Sequence, residues 1–146
     1  MHSDTSFMDP TNRIDFATLK RARTPNTFLM APEGLCKQSK IDVEAPVFAS
    51  SPTKLRQEFL RLAIAKPRVT HLFKDDVGLY DDFLVRSALF GFPDLISVRF
   101  LDAQGGKSRI AVYSRSVYGR SDLGVNRARI SSWIGELKAL ISPISS

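Results

Sequence analysis

Between residues 68 and 116 the chain repeats one pattern that leaves few folds open to it: strand-like runs whose apolar residues recur at every second position. The runs are Arg68 to Phe73, Tyr80 to Leu89, Asp94 to Asp102 and Ser108 to Ser116, rich in Val, Ile, Phe and Tyr and separated by turn residues. Ile96, Val98 and Phe100 share one face of their run, as do Ile110 and Val112 on the next and Phe83 and Val85 on the one before. A sheet built this way has one apolar side, which must be covered. Gln104, Gly105 and Gly106 supply a loop tolerant of positive φ, so the runs read as an antiparallel meander of about four strands.

Two segments with helical rhythm supply the cover. Ser51 before Pro52 is a helix start, since the serine oxygen can accept an orphan amide and proline at the first helical position sacrifices no bond. Leu55, Phe59, Leu62 and Ala63 continue that helix to about Ala65, and Pro67 stops it. A second helix follows the Gly119 to Gly124 loop, with Ile130, Trp133, Ile134, Leu137, Leu140 and Ile141 as its buried stripe. The fold class is therefore α+β, an antiparallel sheet covered on one face by two amphipathic helices. Prolines and Gly34 break residues 25 to 46, which suits an extended segment over the core, with a strand starting near Val47. Residues 1–24 have few clustered apolar groups and read as a flexible N-terminal segment ahead of a single domain, residues 25–146.

A chain of 146 residues, 43% hydrophobic, can bury a core without disulfides, and Cys36 is its one cysteine. No run approaches the roughly 18 consecutive apolar residues of a membrane span, and the start lacks a signal-peptide core. A cytoplasmic protein is expected, with peripheral membrane contact and oligomeric state left open. Two histidines and one cysteine are too few for the usual zinc site, so neither metal nor cofactor is expected.

The net charge of +6 is unevenly placed. Residues 99 to 129 carry Arg99, Lys107, Arg109, Arg115, Arg120, Arg127 and Arg129 against Asp102 and Asp122, whereas residues 75 to 94 carry five aspartates against Arg86. Pairing Val85 with Val98 and Val98 with Val112 places Arg86, Ser97 and Tyr113 in a cross-strand row opposite the apolar face, with Arg99 and Arg115 beside it. Guanidiniums offer paired planar donors to carboxylate or phosphate, though they can equally pair with Asp82, Asp94 or Asp102. The hydroxyl-, glycine- and arginine-dense stretch from Tyr113 to Arg127 adds Ser116, Arg120, Ser121, Asp122, Asn126 and Arg127 as candidate ligands at a helix start. Gly119 and Gly124 have the spacing of a phosphate loop, but Val125 and Asn126 stand where lysine and serine or threonine are required. Asp122 can instead cap the helix, and Asn126, four residues before Ile130 on the buried stripe, can tie down the backbone of the preceding loop. For nucleophilic catalysis the candidates are Cys36, Ser114, Ser116 and Ser121 with His71 as base, and no nucleophile elbow frames them.

At Arg86-Ser87-Ala88-Leu89-Phe90-Gly91-Phe92-Pro93-Asp94, at Tyr113-Ser114-Arg115-Ser116 and from Gly119-Arg120-Ser121-Asp122-Leu123-Gly124-Val125-Asn126-Arg127 to Arg129, the chain resembles a bacterial and plastid family known as domain of unknown function 1499. The resemblance covers about residues 25 to 141. Where many relatives carry an Asn-Cys-Val-Ser-Ser type motif, Leu35-Cys36-Lys37-Gln38-Ser39 keeps the cysteine and one serine. Many relatives also carry membrane spans ahead of the domain. The resemblance implies a fold boundary and a set of motifs, and implies no activity. The leading expectation is a domain binding an anionic small molecule, lipid headgroup or acidic protein segment through the arginine-rich sheet face and the Gly-rich loop. The rivals are a small hydrolase or transferase using a Ser/Asp/Arg site in residues 114–127 and, ranked last, a nucleic-acid binder.

Overall fold

The computed structural model describes residues 13–88, 90–118 and 124–144. Its strands are β1 (Thr27–Ala31), β2 (Val43–Glu44), β3 (Val47–Phe48), β4 (Val69–Asp75), β5 (Tyr80–Arg86), β6 (Pro93–Asp102), β7 (Ser108–Ser116) and β8 (Pro143–Ile144), and its helices are α1 (Pro52–Ile64) and α2 (Val125–Leu140). The main path of the sheet runs β2-β1-β7-β6-β5-β4, and β3 pairs with both β7 and β8. The β4 to β7 meander is the expected one, and both helices fall where Ser51-Pro52 and the Ile130 to Leu137 stripe place them.

The sheet is larger than about four strands and is mixed, because β1 runs antiparallel to β7 and parallel to β2. The proline-broken stretch hid β1. Phe28 to Ala31 are buried on both faces, so they form a continuous apolar run with no alternation to reveal a strand. Gln104, Gly105 and Gly106 all take positive φ, 69°, 60° and 75°, in the tight loop joining β6 to β7.

The helices pack on the inner face of the sheet. Phe28, Phe83, Ile96, Val98, Ile110 and Val112 meet Leu55, Phe59, Trp133 and Leu137 there. The Phe59 ring centroid lies 5.6 to 6.0 Å from those of Phe83, Phe100 and Trp133, an arrangement that favours tilted and edge contacts. Leu140, expected in the α2 stripe, is exposed; the helix ends there and the chain turns Ile141 back into the core.

The outer face of the sheet is also covered. Leu29, Ala31, Tyr80, Ala111 and Tyr113 are buried under Phe16 and Leu19, with Leu35 and Ile41 alongside. Residues 14 to 19, expected within the flexible segment, therefore belong to the packed structure. Phe16 and Leu19 are few, yet their spacing puts both on one side of a turn that fits the sheet. Residues 1–12 lie outside the described part.

Candidate functional site

On the outer face Asp82, Ser97, Tyr113 and Leu29 occupy one row. Ser97 and Tyr113 stand together as expected, but Arg86 does not join them. Val98 pairs with Val112, whereas Val85 pairs with Asp94, a register four residues away from the expected one, so Asp82 takes the place assigned to Arg86. Arg86 ends β5, where its Nη1 donates to the Gly91 carbonyl at 2.9 Å.

Arg115 lies next to the row and is spent within it. Its Nη1 donates to Ser97 Oγ at 2.8 Å and to the Tyr113 carbonyl at 3.2 Å, and its guanidinium carbon sits 4.9 Å from the Tyr113 ring centre. Ser97 Oγ and the Tyr80 hydroxyl both donate to Asp82 Oδ1, at 2.6 and 2.7 Å. Burial lowers the Arg115 pKa and the Asp82 charge opposes this. Burial and then Asp82 push the Tyr80 phenol up to about 12. The N-terminal strap closes this network from above, since the Ile14 amide donates to Tyr80 at 2.9 Å and the Ala22 amide to Tyr113 at 3.5 Å. Arg99 lines a separate 260 Å³ cavity that it shares with Arg13, Asp15 and Asp75. The three guanidiniums expected to converge on the sheet face are therefore splayed apart.

The start of α2 carries a second polar cluster, and it is structural. Asn126 is fully buried on the inner side, and its Nδ2 donates to the Asn26 carbonyl at 3.1 Å and to Ser116 Oγ at 3.0 Å. Its Oδ1 accepts from Ser114 Oγ and from Arg129 Nη1, and Arg129 in turn bridges to Asp94 at 2.7 Å. This ties the entry to β1, the end of β7 and the first turn of α2 together, whereas the sequence pointed to a tie onto the loop just before the helix, most of which lies outside the described residues. Arg120, Ser121 and Asp122 lie outside the described residues.

Among the described residues, which leave out Ser121, the candidate catalytic groups do not assemble. His71 Nε2 is 2.8 Å from Asp81 Oδ1, its ring stacks on Phe83, and Asp81 is gripped by Arg56 through two bonds of 2.8 and 3.0 Å. His71, Phe83, Ile96 and Ser114 share one row, so the histidine stands three strand spacings, roughly 14 Å, from Ser114. Burial raises the Cys36 thiol pKa, with Arg21 opposing, which keeps it a weak nucleophile.

A basic cleft appears where a flexible N-terminal segment and an extended stretch over the core were expected. Lys20, Arg21, Arg23 and Lys40 line an open 440 Å³ cavity, which adjoins a 370 Å³ cavity lined by Arg21, Arg23, Thr27 and Arg127. Arg21 is anchored: it bridges to Asp42 at 2.8 Å and donates to Thr27 Oγ1 at 2.9 Å and to the Lys40 carbonyl at 2.8 Å. Ser39 Oγ accepts from the Arg21 amide and donates to the Leu19 carbonyl, which zips the strap to the 38–40 loop. Lys20, Arg23, Lys40 and Arg127 remain exposed. The cluster of Lys20, Arg21 and Arg23 was visible in the sequence; its meeting with Lys40 and Arg127 was not.

The fold and its surface thus define a two-helix α+β domain with a sealed sheet and a cationic cleft along the β1 edge. The chain belongs to the family described as protein of unknown function (DUF1499), which matches residues 19–137. No curated protein matches it. That span includes Leu19 and Arg21, in keeping with a strap that is part of the domain. Among the described residues no helix is long and apolar enough to cross a membrane.

Proposed function

We propose that this domain binds a small phosphate- or carboxylate-bearing ligand in the cleft formed by the strap, the 38–40 loop and Arg127. The observation that carries this reading is the composition of the two adjoining cavities: among the described residues, five cationic side chains against the single acid Asp42, which is already paired with Arg21. Arg21 is held in place before any ligand arrives, so less side-chain freedom is lost on binding. Arg23 and Lys40 supply exposed charge around it, and Arg127 adds a guanidinium placed over the Phe28 ring, 4.9 Å from its centre. Of the residues expected from sequence, Arg127 serves here, while Arg86 and Arg115 are engaged elsewhere and Arg99 lines a separate cavity.

Calorimetric titration with inorganic phosphate, pyrophosphate and citrate tests this. The double variant Arg23→Ala/Arg127→Ala is expected to weaken the best of them on the order of tenfold, and raised salt to weaken binding to the wild type. Arg99→Ala should leave affinity unchanged. Equal affinity for all three proteins, or no heat with any of the anions, overturns the reading.

A further inference from the structure

The turn between β5 and β6 holds two phenylalanines in water. Phe90 and Phe92 are 69% and 53% exposed, and Tyr118, just beyond β7, is 58% exposed. The three rings form one cluster, with centroids 5.4 Å apart for Phe90 and Phe92 and 6.1 Å for Phe92 and Tyr118. The turn is built rather than loose. Ser87 Oγ accepts from the amides of Phe90 and Phe92, the Ser87 amide donates to the Phe92 carbonyl, and Gly91 takes φ +68° to close the loop. The Val117 amide donates to the Pro93 carbonyl, which sets the segment carrying Tyr118 alongside. Arg86 clamps Gly91, and Arg68 Nε donates to the Arg86 carbonyl, so two exposed arginines stand at the base of the rings.

Exposed aromatic groups packed on one another mark an interaction surface. This one shares a pole with the basic cleft, because the Ser116 amide bonds the Asn26 carbonyl and Pro25, Thr27 and Gly124 line the cleft beside it. The rings line neither cavity of the cleft. A protruding aromatic group flanked by arginines suits a soft surface that is apolar below and anionic above. Phenylalanine and tyrosine enter the interfacial layer of a bilayer, and arginine pairs with phosphate there. A second copy of the chain is a poor occupant, since it brings a +6 molecule and the same arginines to a basic pole.

We propose that this pole docks on an anionic lipid bilayer, with Phe90, Phe92 and Tyr118 entering the interface while Arg68, Arg86 and the cleft face headgroup phosphates. The inference rests on the anion cleft proposed above and names lipid phosphate as its ligand.

Sedimentation of the full chain with vesicles of pure phosphatidylcholine and of equimolar phosphatidylcholine and phosphatidylglycerol tests it, beside titration with inorganic phosphate. The wild type is expected to sediment with the anionic vesicles and not with the neutral ones. Phe90→Ala/Phe92→Ala is expected to lose on the order of a hundredfold in vesicle affinity while keeping its phosphate affinity. Phe92→Trp is expected to show blue-shifted emission on anionic vesicles. Phosphate binding without vesicle binding sinks the bilayer and spares the cleft. Vesicle binding that survives Arg23→Ala/Arg127→Ala but not the phenylalanine variant sinks the cleft as the lipid site. Unchanged vesicle binding by the phenylalanine variant, or self-association of the wild type that this variant abolishes, overturns the docking surface.

Discussion

Asn126 shows how much one buried amide can organise. It satisfies groups from the residue before β1, from β7 and from α2 at once, and truncation leaves the Asn26 carbonyl and the Ser114 and Ser116 hydroxyls without that partner in a buried site. Asn126→Ala is expected to cost about 2 to 4 kcal/mol, read as a lower urea midpoint. Asp81 is the other such residue. Burial raises its pKa, and hydrogen bonds from His71 and Arg56 with their charges more than reverse that, so the net shift is downward from 3.8. A depressed carboxylate stabilises the fold above the unfolded-state value and loses that contribution as pH falls through the folded one. Stability should accordingly drop on acidification below about pH 4. Asp81→Asn, which takes the buried carboxylate from Arg56 and leaves it the exposed Asp76, should cost about 3 kcal/mol at neutral pH and flatten that acid limb in urea titrations run across pH.

At the scale of elements, α1 was legible because its signals are local: Ser51 Oγ accepts from the Lys54 amide at 3.1 Å, with Pro52 at the first position. Ser51→Ala should lower stability by about 1 kcal/mol, seen as a small fall in Tm. Strand faces were legible for the same reason, since alternation sets which side chains point inward. Register was legible only where a short loop pinned it. Asp102 pairs with Ser108 across the Gly105-Gly106 loop, so Val98 and Val112 meet as expected. The Ser87 to Phe92 turn is not written as a standard hairpin. A slip of four residues in β5 keeps every side chain on its own face and so leaves no mark in the pattern. That slip decided the site, because it exchanged Arg86 for Asp82 in the outer row.

Over the whole molecule, the sheet is a sandwiched layer: the helices cover one face and the strap with the 35–41 loop covers the other. Phe16, 2% exposed, is the strap's principal anchor, and Phe16→Ala is expected to cost about 3 kcal/mol in urea unfolding and to uncover Tyr80 and Tyr113. If residues 14–19 were dispensable, the variant would unfold at the wild-type midpoint. The amino-acid pattern alone determined the two helices, the four-strand meander and the inward faces, because three- and two-residue periodicities record burial locally. It also marked Asn126 as a buried amide in need of partners, though not as the link to Asn26, Ser114 and Ser116 that it makes. The insertion of β1 beside β7, the covering of the outer face, and the convergence of Lys20, Arg21, Arg23, Lys40 and Arg127 were decided by tertiary structure. Those features depend on strand pairing, packing and hydrogen bonds between residues remote in the chain, which no local periodicity encodes.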